Sequence, residues 1–434
     1  MTAAPVYRPL AALAGQQRFP QGAQLLRIHE GKAEPLVPDF AASADASVSF
    51  DGARVLFAGK QAAADRWQIW ELTLADRSLR KVIGGAGDAI RPLYLPAGRL
   101  VYARHAAGGY QVMAAGAAQT RALAPIDAKA EAMLVALTHP PASAVPDDVL
   151  ADGRVLFESN YPLGAGKTAE MFLVYSDGSG LESYRCDHGA ARWAGRQMAS
   201  GDVVFTHGAS LARFASPLAR EAAIAAPRAE FAGAIAETAQ GEWLLSTRAT
   251  PASRYALKAW NPGAATMRTV FAQAGMDLVE PVVLAPRARP NHHPSGLHEW
   301  NYANLLALDA RLGREGDLKH APAKVRLESL DADGHTVVNG TAPVEADGSF
   351  FVQVPGDKPI RLVLLDENGQ VLRQEHGWFW SRGGEQRICV GCHTGPERGS
   401  ENRVPAVLMR STTPVDLTGA KAASKPQSHE AGGN

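Results

Sequence analysis

Short runs of β-branched and aromatic residues recur between residues 24 and 287, and each follows a turn that contains glycine. The runs lie at residues 55–57, 100–102, 155–157, 203–205 and 243–245. The glycines before them, at positions 52, 98, 153, 201 and 241, are separated by 46, 55, 48 and 40 residues. This spacing is typical of a propeller blade, a four-stranded repeat of about 40 to 50 residues.

A second strand-like segment follows the first run in most repeats. These segments lie at residues 68–73, 110–113, 171–175 and 255–260. Five blades are therefore visible, and residues 24–37 together with 278–284 can form a sixth blade that joins the two ends of the repeat region and leaves no open sheet edge. The pattern predicts a six-bladed β-propeller over residues 1–290. The alternative is a pair of β-sandwiches whose spacing only mimics a repeat.

The repeats stop near residue 290, where Pro281, Pro286 and Pro290 interrupt the strand pattern. We expect a connector over residues 291–322 after this boundary. A new alternation of apolar and polar residues then predicts a small antiparallel β-sandwich over residues 323–380. Its strand-like runs are residues 325–330, 350–354 and 360–365, separated by the turns Asp333-Gly334, Asp347-Gly348 and Asn368-Gly369.

The last part of the chain divides into a segment with candidate chemistry, residues 381–417, and a tail over residues 418–434. The tail is rich in Ala, Lys, Ser and Gly and has no apolar period, so we expect it to be disordered. The predicted fold class is all-β: a six-bladed propeller, a small β-sandwich and a short carboxy-terminal segment that binds a c-type haem.

Composition and charge restrict the possible partners. The 434-residue chain is 46% hydrophobic and 20% charged, as in globular proteins. Its 44 basic and 44 acidic residues cancel, so charge gives no argument for nucleic acid or an anionic membrane as a partner. No apolar run approaches the roughly 18 residues of a transmembrane helix. Residues 1–20 show no export signal.

The strongest chemical signal is Cys389-Val390-Gly391-Cys392-His393, the attachment pattern of a c-type haem. Two cysteines three positions apart lie on one side of a helical turn and can bond two vinyl groups of one haem. The histidine that follows can offer an imidazole nitrogen to the iron. The sequence therefore predicts one covalent haem c, with Cys389 and Cys392 as thioether donors and His393 as the proximal iron ligand.

Two other interpretations of the cysteine pair are weaker. A thioredoxin-like dithiol requires a βαβ context, whereas strands precede this motif and only 41 residues follow it. A structural zinc site requires further ligands, and the remaining cysteine, Cys186, is about two hundred residues away. Cys186 with His188 could form a metal or thiol site, although a free thiol in a blade loop is the simpler interpretation.

Several residues near the motif could surround a haem. Trp378, Phe379 and Trp380 could form apolar walls, although they could equally belong to the core of the sandwich. Arginine can pair with haem propionates, and exposed arginines are also common without such a role. The candidate arginines are Arg382, Arg398 and Arg403.

The second axial ligand decides whether the iron transfers electrons or binds a substrate. Histidines crowd the connector, and we expect His293 or His298 to be the distal ligand, ahead of His292. Met409 is a thioether alternative, and His376 lies close to the motif in sequence. Each of these residues, taken alone, could also have a structural or solvent-facing role.

The carboxy-terminal half resembles a known family. The resemblance lies in Gly348-Ser349-Phe350, Val354-Pro355, the LLDENG run at 364–369, Gly384-Glu385 and the CVGCH motif at 389–393. These features resemble the carboxy-terminal haem module of the hydrazine synthase alpha subunit family, and the repeats before them resemble its TolB-type propeller. The resemblance implies an exported protein in which Cys389, Cys392 and His393 bind haem. Members of that family carry a second haem motif in an amino-terminal domain, and this chain has one motif, so hydrazine synthesis is not predicted.

The leading functional expectation is an exported monohaem c-type cytochrome. Its haem passes electrons to or from a partner redox protein, and its propeller serves as a docking platform. One alternative is a haem enzyme that acts on a small nitrogen or oxygen compound at an open axial site, and another is a propeller binding module with a structural haem. Covalent haem attachment takes place outside the cytoplasm, so we expect a periplasmic or extracellular location, with the leader already removed or the start codon misplaced.

Overall fold

The computed structural model describes residues 1–106, 108–115, 134–160, 169–185, 191–313, 316–375, 377–391 and 401–419. The chain forms two compact units, Met1–Gly296 and most of the sequence from Leu297 onward. Strands provide nearly all of the regular structure in both units.

Six separate sheets make up the first unit, five with four strands and one with five. In five of the sheets all strands are close in sequence and antiparallel, which is the topology of propeller blades. We number these sheets as blades 1 to 5 in chain order and name the sixth the closing blade. Their strands are Ala42–Val48, Arg54–Lys60, Gln68–Thr73 and Leu79–Ile83 in blade 1; Ala89–Tyr94, Leu100–Ala106, Gly109–Ala115 and Leu134–Ala136 in blade 2; Ala144–Val149, Val155–Ser159, Glu170–Val174 and Glu182–Ser183 in blade 3; Arg192–Gln197, Val203–His207, Ser210–Phe214 and Ala222–Ala223 in blade 4; and Glu230–Phe231, Ala236–Glu237, Trp243–Arg248, Ala256–Trp260 and Arg268–Phe271 in blade 5.

The closing blade combines strands from the two ends of the unit. Thr2–Ala4 pairs with Asp277–Val279 on one side and with Gln24–His29 on the other, and Lys32–Pro35 completes the sheet. This closure confirms the predicted six-bladed propeller. The sequence pattern identified the contributions near residues 24 and 278 but not the three-residue strand Thr2–Ala4, which lies between them.

The glycines used to recognise the repeats occupy tight turns. Gly52 and Gly153 have φ values of 74° and 91°, in the left-handed region that favours glycine. A Cβ atom on Gly153 would lie 2.4 Å from the carbonyl oxygen of Asn291, and one on Gly52 would lie 2.8 Å from the nitrogen of Pro286. Both turns therefore require glycine for backbone conformation and for the close passage of the chain that leaves the propeller.

Buried charged residues connect the inner strands of neighbouring blades. Arg18 donates to Asp45 Oδ1 at 2.6 Å and to Glu280 Oε1 at 2.5 Å. Arg91 donates through Nη2 to Asp147 Oδ1 at 2.7 Å, while its backbone N–H donates to Asp45 Oδ2 at 3.2 Å. Asp45 and Arg91 lie at β-bulges and have φ values of 58° and 51°. Because the bulges interrupt the regular strand pairing, the Asp45 carboxylate and the Arg91 guanidinium can reach partners outside their own blades.

The segment between the first two strands of the closing blade packs onto blades 2 and 3. Its short 3₁₀ turn, Ala11–Ala14, receives hydrogen bonds from Ser143 Oγ to the carbonyl oxygen of Ala12 and from Asn160 Nδ2 to that of Leu13, both at 2.8 Å. Phe19 from the same segment is buried in the core of the propeller. The amino-terminal residues are thus an integral part of the first unit.

The second unit contains two four-stranded sheets. Apolar side chains of both sheets form one core that includes Leu305, Val352, Leu327 and Ile360, so the unit is a sandwich. The strands in sheet order are Gln386–Cys389, Tyr302–Ala307, Phe350–Pro355 and Val415–Asp416 in the first sheet, and Thr336–Pro343, Lys324–Leu330, Ile360–Leu365 and Val371–Gln374 in the second.

The structure places a strand inside the segment expected to be a connector. Tyr302–Ala307 is a central strand of the first sheet, where it pairs with both Phe350–Pro355 and Gln386–Cys389. Its inward residues include Ala303 and Ala307, whose intrinsic strand preference is low, so the strand depends on its two neighbours more than on its own sequence. The sandwich therefore begins before residue 323 and extends past residue 380.

Helical structure is scarce in the described residues. It consists of the α-helix Ala406–Arg410 and the 3₁₀ turns Ala11–Ala14 and Pro96–Gly98. None of the helices in this part of the chain has the length and hydrophobicity needed to traverse a bilayer.

Candidate haem-attachment site

The first cysteine of the attachment motif ends a strand of the sandwich. Gln386–Cys389 runs parallel to Tyr302–Ala307, with Cys389 opposite Ala307. The backbone N–H of Leu308 donates to the carbonyl oxygen of Cys389 at 2.9 Å. The backbone at Cys389 is therefore held on the edge strand up to the point where the motif begins.

Side chains along this strand alternate between two environments. Gln386 and Ile388 are exposed, whereas Arg387 and Cys389 are half-buried. The residues opposite Arg387 and Cys389 on strand Tyr302–Ala307 are buried in the sandwich core. Arg387 and Cys389 therefore share the inner side of the sheet.

The thiol of Cys389 lies in an apolar environment with one nearby cation. Cys389 and Phe379 both pack against the core of the sandwich. Burial raises the pKa of the Cys389 thiol, the charge and a side-chain hydrogen bond of Arg387 oppose this effect, and Glu375 and Glu385 add to it. A thiol in such a place is a poor nucleophile unless the neighbouring guanidinium assists it.

The chain after the motif is fixed close to the same end of the sheet. Arg403 Nη2 donates to the carbonyl oxygen of Asp347 at 2.9 Å and lies 3.8 Å from Asp309 Oδ2. Ala406 N donates to Asp347 Oδ2 at 2.8 Å. Because Asp309 follows two residues after Ala307, the partner of Cys389, the attachment segment leaves and rejoins the sandwich at neighbouring points.

Apolar side chains are exposed at both of these points. Val390 and Val404 are 41% and 65% exposed, and Ile388 is 64% exposed. Large apolar residues in solvent commonly mark a surface that a ligand or partner covers. Val390 and Val404 would therefore be apolar contacts for a macrocycle attached at Cys389, whereas Ile388 lies on the opposite side of the strand from the Cys389 side chain.

Comparison with known proteins gives a family for this segment. Residues 317–394 match the hydrazine synthase alpha subunit middle domain, and the matched range includes Cys389, Cys392 and His393. Residues 317–394 are therefore related to that domain. No curated protein sequence matches the chain.

The solved structure of hydrazine synthase supports the fold of this chain. Hydrazine synthase from Kuenenia stuttgartiensis has a TM-score of 0.78 and 16% identity over 94% of this chain and 70% of that chain. TolB from Acinetobacter baumannii has a TM-score of 0.43 and 10% identity over 61% of this chain and 62% of that chain. At such identities the likeness to hydrazine synthase concerns the fold, a propeller together with a β-module.

Several residues singled out in the sequence lie outside the described residues. They are Cys392, His393, His376 and Arg398 near the motif, and Cys186 and His188 in the propeller. Their assignments, including the second thioether and the proximal ligand, stay predictions.

The two described candidates for propionate binding already have carboxylate partners. Arg382 Nη1 lies 2.9 Å from Asp357 Oδ2. Arg403 lies near Asp309, Asp347 and Glu401, with its closest carboxylate contact at 3.4 Å. Both guanidiniums therefore stabilise turns of the sandwich, and a propionate would have to share them.

The three aromatic residues before the motif differ in their environments. Trp380 is 3% exposed and thus belongs to the interior. Phe379 forms an isolated bridge with Ile360 and contacts Arg387, which brings its ring close to the attachment strand. Trp378 is half-buried. Of the three, Phe379 lies best for an apolar wall next to Cys389.

The candidate distal histidines lie in different units. His293 belongs to the propeller unit, where its ring stacks on Tyr175 with centroids 4.0 Å apart. His298 stacks on Trp300 at 4.6 Å, and a Cβ atom on Gly384 would lie 2.3 Å from its carbonyl oxygen. Since Gly384 precedes the strand that ends in Cys389, the structure does not bring His298 next to Cys389. The identity of the distal ligand stays a prediction.

The remaining distal candidates are exposed. His292 lies on the propeller unit, and Met409, which is 73% exposed, lies on the short helix Ala406–Arg410. The backbone N–H of Val407 in this helix donates to Ser349 Oγ at 3.1 Å, and Ser349 directly precedes the strand residue that faces Ala307. Met409 is therefore at the same end of the sandwich as Cys389.

Arg387 is a residue that the sequence reasoning missed. It lies two positions before Cys389, and alternation along the strand places both on one side of the sheet. The sequence contains a signal for this arrangement, because a strand that ends at Cys389 places the side chains of Arg387 and Cys389 on the same side. The predicted sandwich ends at residue 380, so the sequence prediction places no strand at Arg387.

One further cluster of ligand-type residues has a structural explanation. Asp331, Asp333 and His335 lie in an exposed hairpin turn. Asp331 Oδ1 accepts hydrogen bonds from the backbone N–H groups of Asp333 and His335, at 3.0 and 2.8 Å. These bonds are those of an Asx turn, which brings the three side chains together without a metal.

Proposed function

We propose that this protein is an exported monohaem c-type cytochrome that exchanges electrons with a partner redox protein. The observation that carries the proposal is the Cys389-Val-Gly-Cys392-His393 motif, located in a segment related to the hydrazine synthase alpha subunit middle domain. The fixed strand before the motif and the anchored residues after it support the proposal, because a covalent cofactor needs both ends of its attachment segment held.

Each residue of the segment has a distinct role in this proposal. Cys389 and Cys392 would hold the haem through thioethers, and His393 would bind its iron. Phe379 and the exposed valines would contact the macrocycle and exclude water from it. The haem supplies a one-electron iron couple when bound. The six-bladed propeller offers the surface on which a partner docks.

The proposal is tested by removing both attachment cysteines. Protein with Cys389→Ala and Cys392→Ala, produced together with the haem maturation machinery, should carry no covalent haem when its intact mass is measured after denaturation. Its propeller should remain folded by circular dichroism, because the substitutions lie in the second unit.

Cys186→Ala is the matched control and should bind haem like the wild type, because Cys186 is far from the motif in sequence. A colourless wild-type protein of unmodified mass, or a double variant that keeps covalent haem, would refute the proposal.

A second candidate function keeps the haem but leaves its sixth coordination position open for a small nitrogen or oxygen compound. It is favoured by the family match, since the related domain belongs to hydrazine synthase, which by its name is an enzyme. Ligand challenge separates the two functions. An absorption spectrum that changes on addition of cyanide or carbon monoxide supports the enzyme, and an unchanged low-spin spectrum supports electron transfer.

We also propose a periplasmic or extracellular location, because c-type haem is attached outside the cytoplasm. Fractionation of the native host tests this. Haem-containing protein confined to the cytoplasmic fraction would contradict it.

A further inference from the structure

Arg387 and Cys389 are brought together by strand geometry. Both belong to strand Gln386–Cys389, where alternate residues point to the same side. Their partners across the parallel pairing are buried, so both side chains face the inner side of the sheet. The two side chains therefore share one side of the strand, two positions apart.

Other contacts hold the guanidinium of Arg387 in place. Its central carbon lies 5.6 Å from the centre of the Phe379 ring, within the range of a cation–π interaction. Its Nη1 donates to the carbonyl oxygen of Trp380 at 3.5 Å, a long hydrogen bond. Phe379 is itself fixed by a two-way backbone bridge with Ile360. These contacts restrict the position of the guanidinium on the side of the sheet that also carries Cys389.

The apolar environment of Cys389 determines how a nearby positive charge affects its thiol. The thiol packs against apolar core residues, and burial disfavours the thiolate, which is the nucleophilic form. The charge of Arg387 and a side-chain hydrogen bond from Arg387 to the thiol favour the thiolate. A fixed positive charge next to a half-buried cysteine therefore keeps it reactive and oriented.

We propose that Arg387 is a positioning residue that orients and activates the Cys389 thiol for covalent haem attachment. This inference rests on the proposed function. Thioether formation adds the S–H group across a vinyl double bond: sulfur gains a bond to carbon, the hydrogen goes to the neighbouring vinyl carbon, and no oxidant or reductant is consumed. Arg387 takes part by holding the sulfur, and it neither gains nor loses a bond.

The inference can be tested on the apoprotein without haem. Iodoacetamide alkylation of Cys389 is followed by peptide mass spectrometry across a pH series in wild type, Arg387→Met and Arg387→Lys. Loss of the Arg387 charge disfavours the thiolate, so the Met variant should be alkylated several-fold more slowly at neutral pH. The Lys variant should recover part of the rate, because it keeps the charge but not the planar geometry.

Arg326→Met is the matched control, since Arg326 pairs with Glu328 in the other sheet, with a 2.7 Å contact. It should alkylate like the wild type. An Arg387→Met protein with unchanged alkylation at all pH values would overturn the inference, as would equal slowing in Arg326→Met.

Haem loading gives the second readout. Covalent haem per chain, measured by intact mass under limiting maturation, should fall in Arg387→Met and partly recover in Arg387→Lys. Equal loading in wild type and Arg387→Met would overturn the inference while leaving the proposed function intact. Absence of haem in the wild type would instead refute the proposed function. The alkylation experiment, which does not require haem, would still show whether Arg387 affects the Cys389 thiol.

Discussion

Single buried residues of the propeller show how buried charge is accommodated. Glu280 is 7% exposed, and burial by itself would raise the pKa of its carboxyl. The charges of Arg18 and Arg91 and a hydrogen bond from Tyr7 outweigh burial and lower this pKa to about 2. The backbone N–H of Ala234 in blade 5 also donates to Glu280 Oε2 at 3.4 Å. The carboxylate therefore links the closing blade to blade 5 and to the amino-terminal segment.

This pKa predicts how acid affects the propeller. The folded-state pKa of about 2 lies below the ordinary 4.5, so the ionised group stabilises the fold fully above about pH 4.5 and loses this contribution as pH falls toward 2. By linkage the contribution is about 3 kcal/mol. Glu280→Gln should be less stable at pH 7 and should lose stability less steeply between pH 4.5 and 2, as measured by urea unfolding.

Glu34→Gln is the control for this experiment. Glu34 forms an ion pair with Arg27 at 3.3 Å in which both side chains are about half exposed, and such pairs contribute roughly 0 to 1 kcal/mol. If Glu280→Gln and wild type had the same pH slope, the stabilising role of the Glu280 carboxylate would be wrong.

At the scale of elements, each unit contains a short strand that is paired on both sides and completes a sheet. Thr2–Ala4 has three residues, yet it is paired on both sides in the closing blade. Tyr302–Ala307 has the same central position in the first sheet of the sandwich. Thr2–Ala4 consists of one threonine and two alanines, and Tyr302–Ala307 contains two alanines and an asparagine, so the partners that surround both strands contribute to their conformation.

Proline substitution tests the role of Thr2–Ala4. Proline removes a backbone donor and is not tolerated in a central strand, at a cost of about 3 kcal/mol or more. Ala3→Pro should therefore strongly lower the urea midpoint of the propeller. Ala33→Pro is the control, because Ala33 lies on the exposed edge strand Lys32–Pro35, where proline is accepted more readily. Equal effects of the two variants would contradict a closing role for Thr2–Ala4.

At the scale of the whole molecule, each unit has a core of its own. The apolar clusters of the propeller draw on residues up to Val282, and the cluster of the sandwich draws on residues from Ala303 to Leu417. A unit with its own core is expected to fold without the other.

A fragment of residues 1–296 tests this independence. It should unfold cooperatively in urea, with the circular dichroism of a β-protein, because it contains all six sheets of the propeller. A fragment of residues 1–276 lacks strand Asp277–Val279 and leaves Thr2–Ala4 with an open edge, so it should aggregate or fail to fold. A fragment 1–296 without a cooperative transition would show that the propeller depends on the rest of the chain.

The sequence by itself determined the number and type of repeats and the identity of the chemical motif. Glycine turns followed by β-branched runs are local features, because a left-handed turn and a half-buried strand each depend on a few adjacent residues. The pattern of Cys389, Cys392 and His393 is also local, because it lies within five consecutive residues.

The tertiary structure alone decided which distant residues meet. Thr2–Ala4 and Tyr302–Ala307 become strands only because partners far away in sequence supply their hydrogen bonds. The same pairing turns Arg387 and Cys389 toward the core of the sandwich, and Arg403 lies close to Asp309 near that end of the sheet. Long-range pairing and burial are properties of the folded chain, so the sequence around Cys389 did not show that its strand lies next to Tyr302–Ala307.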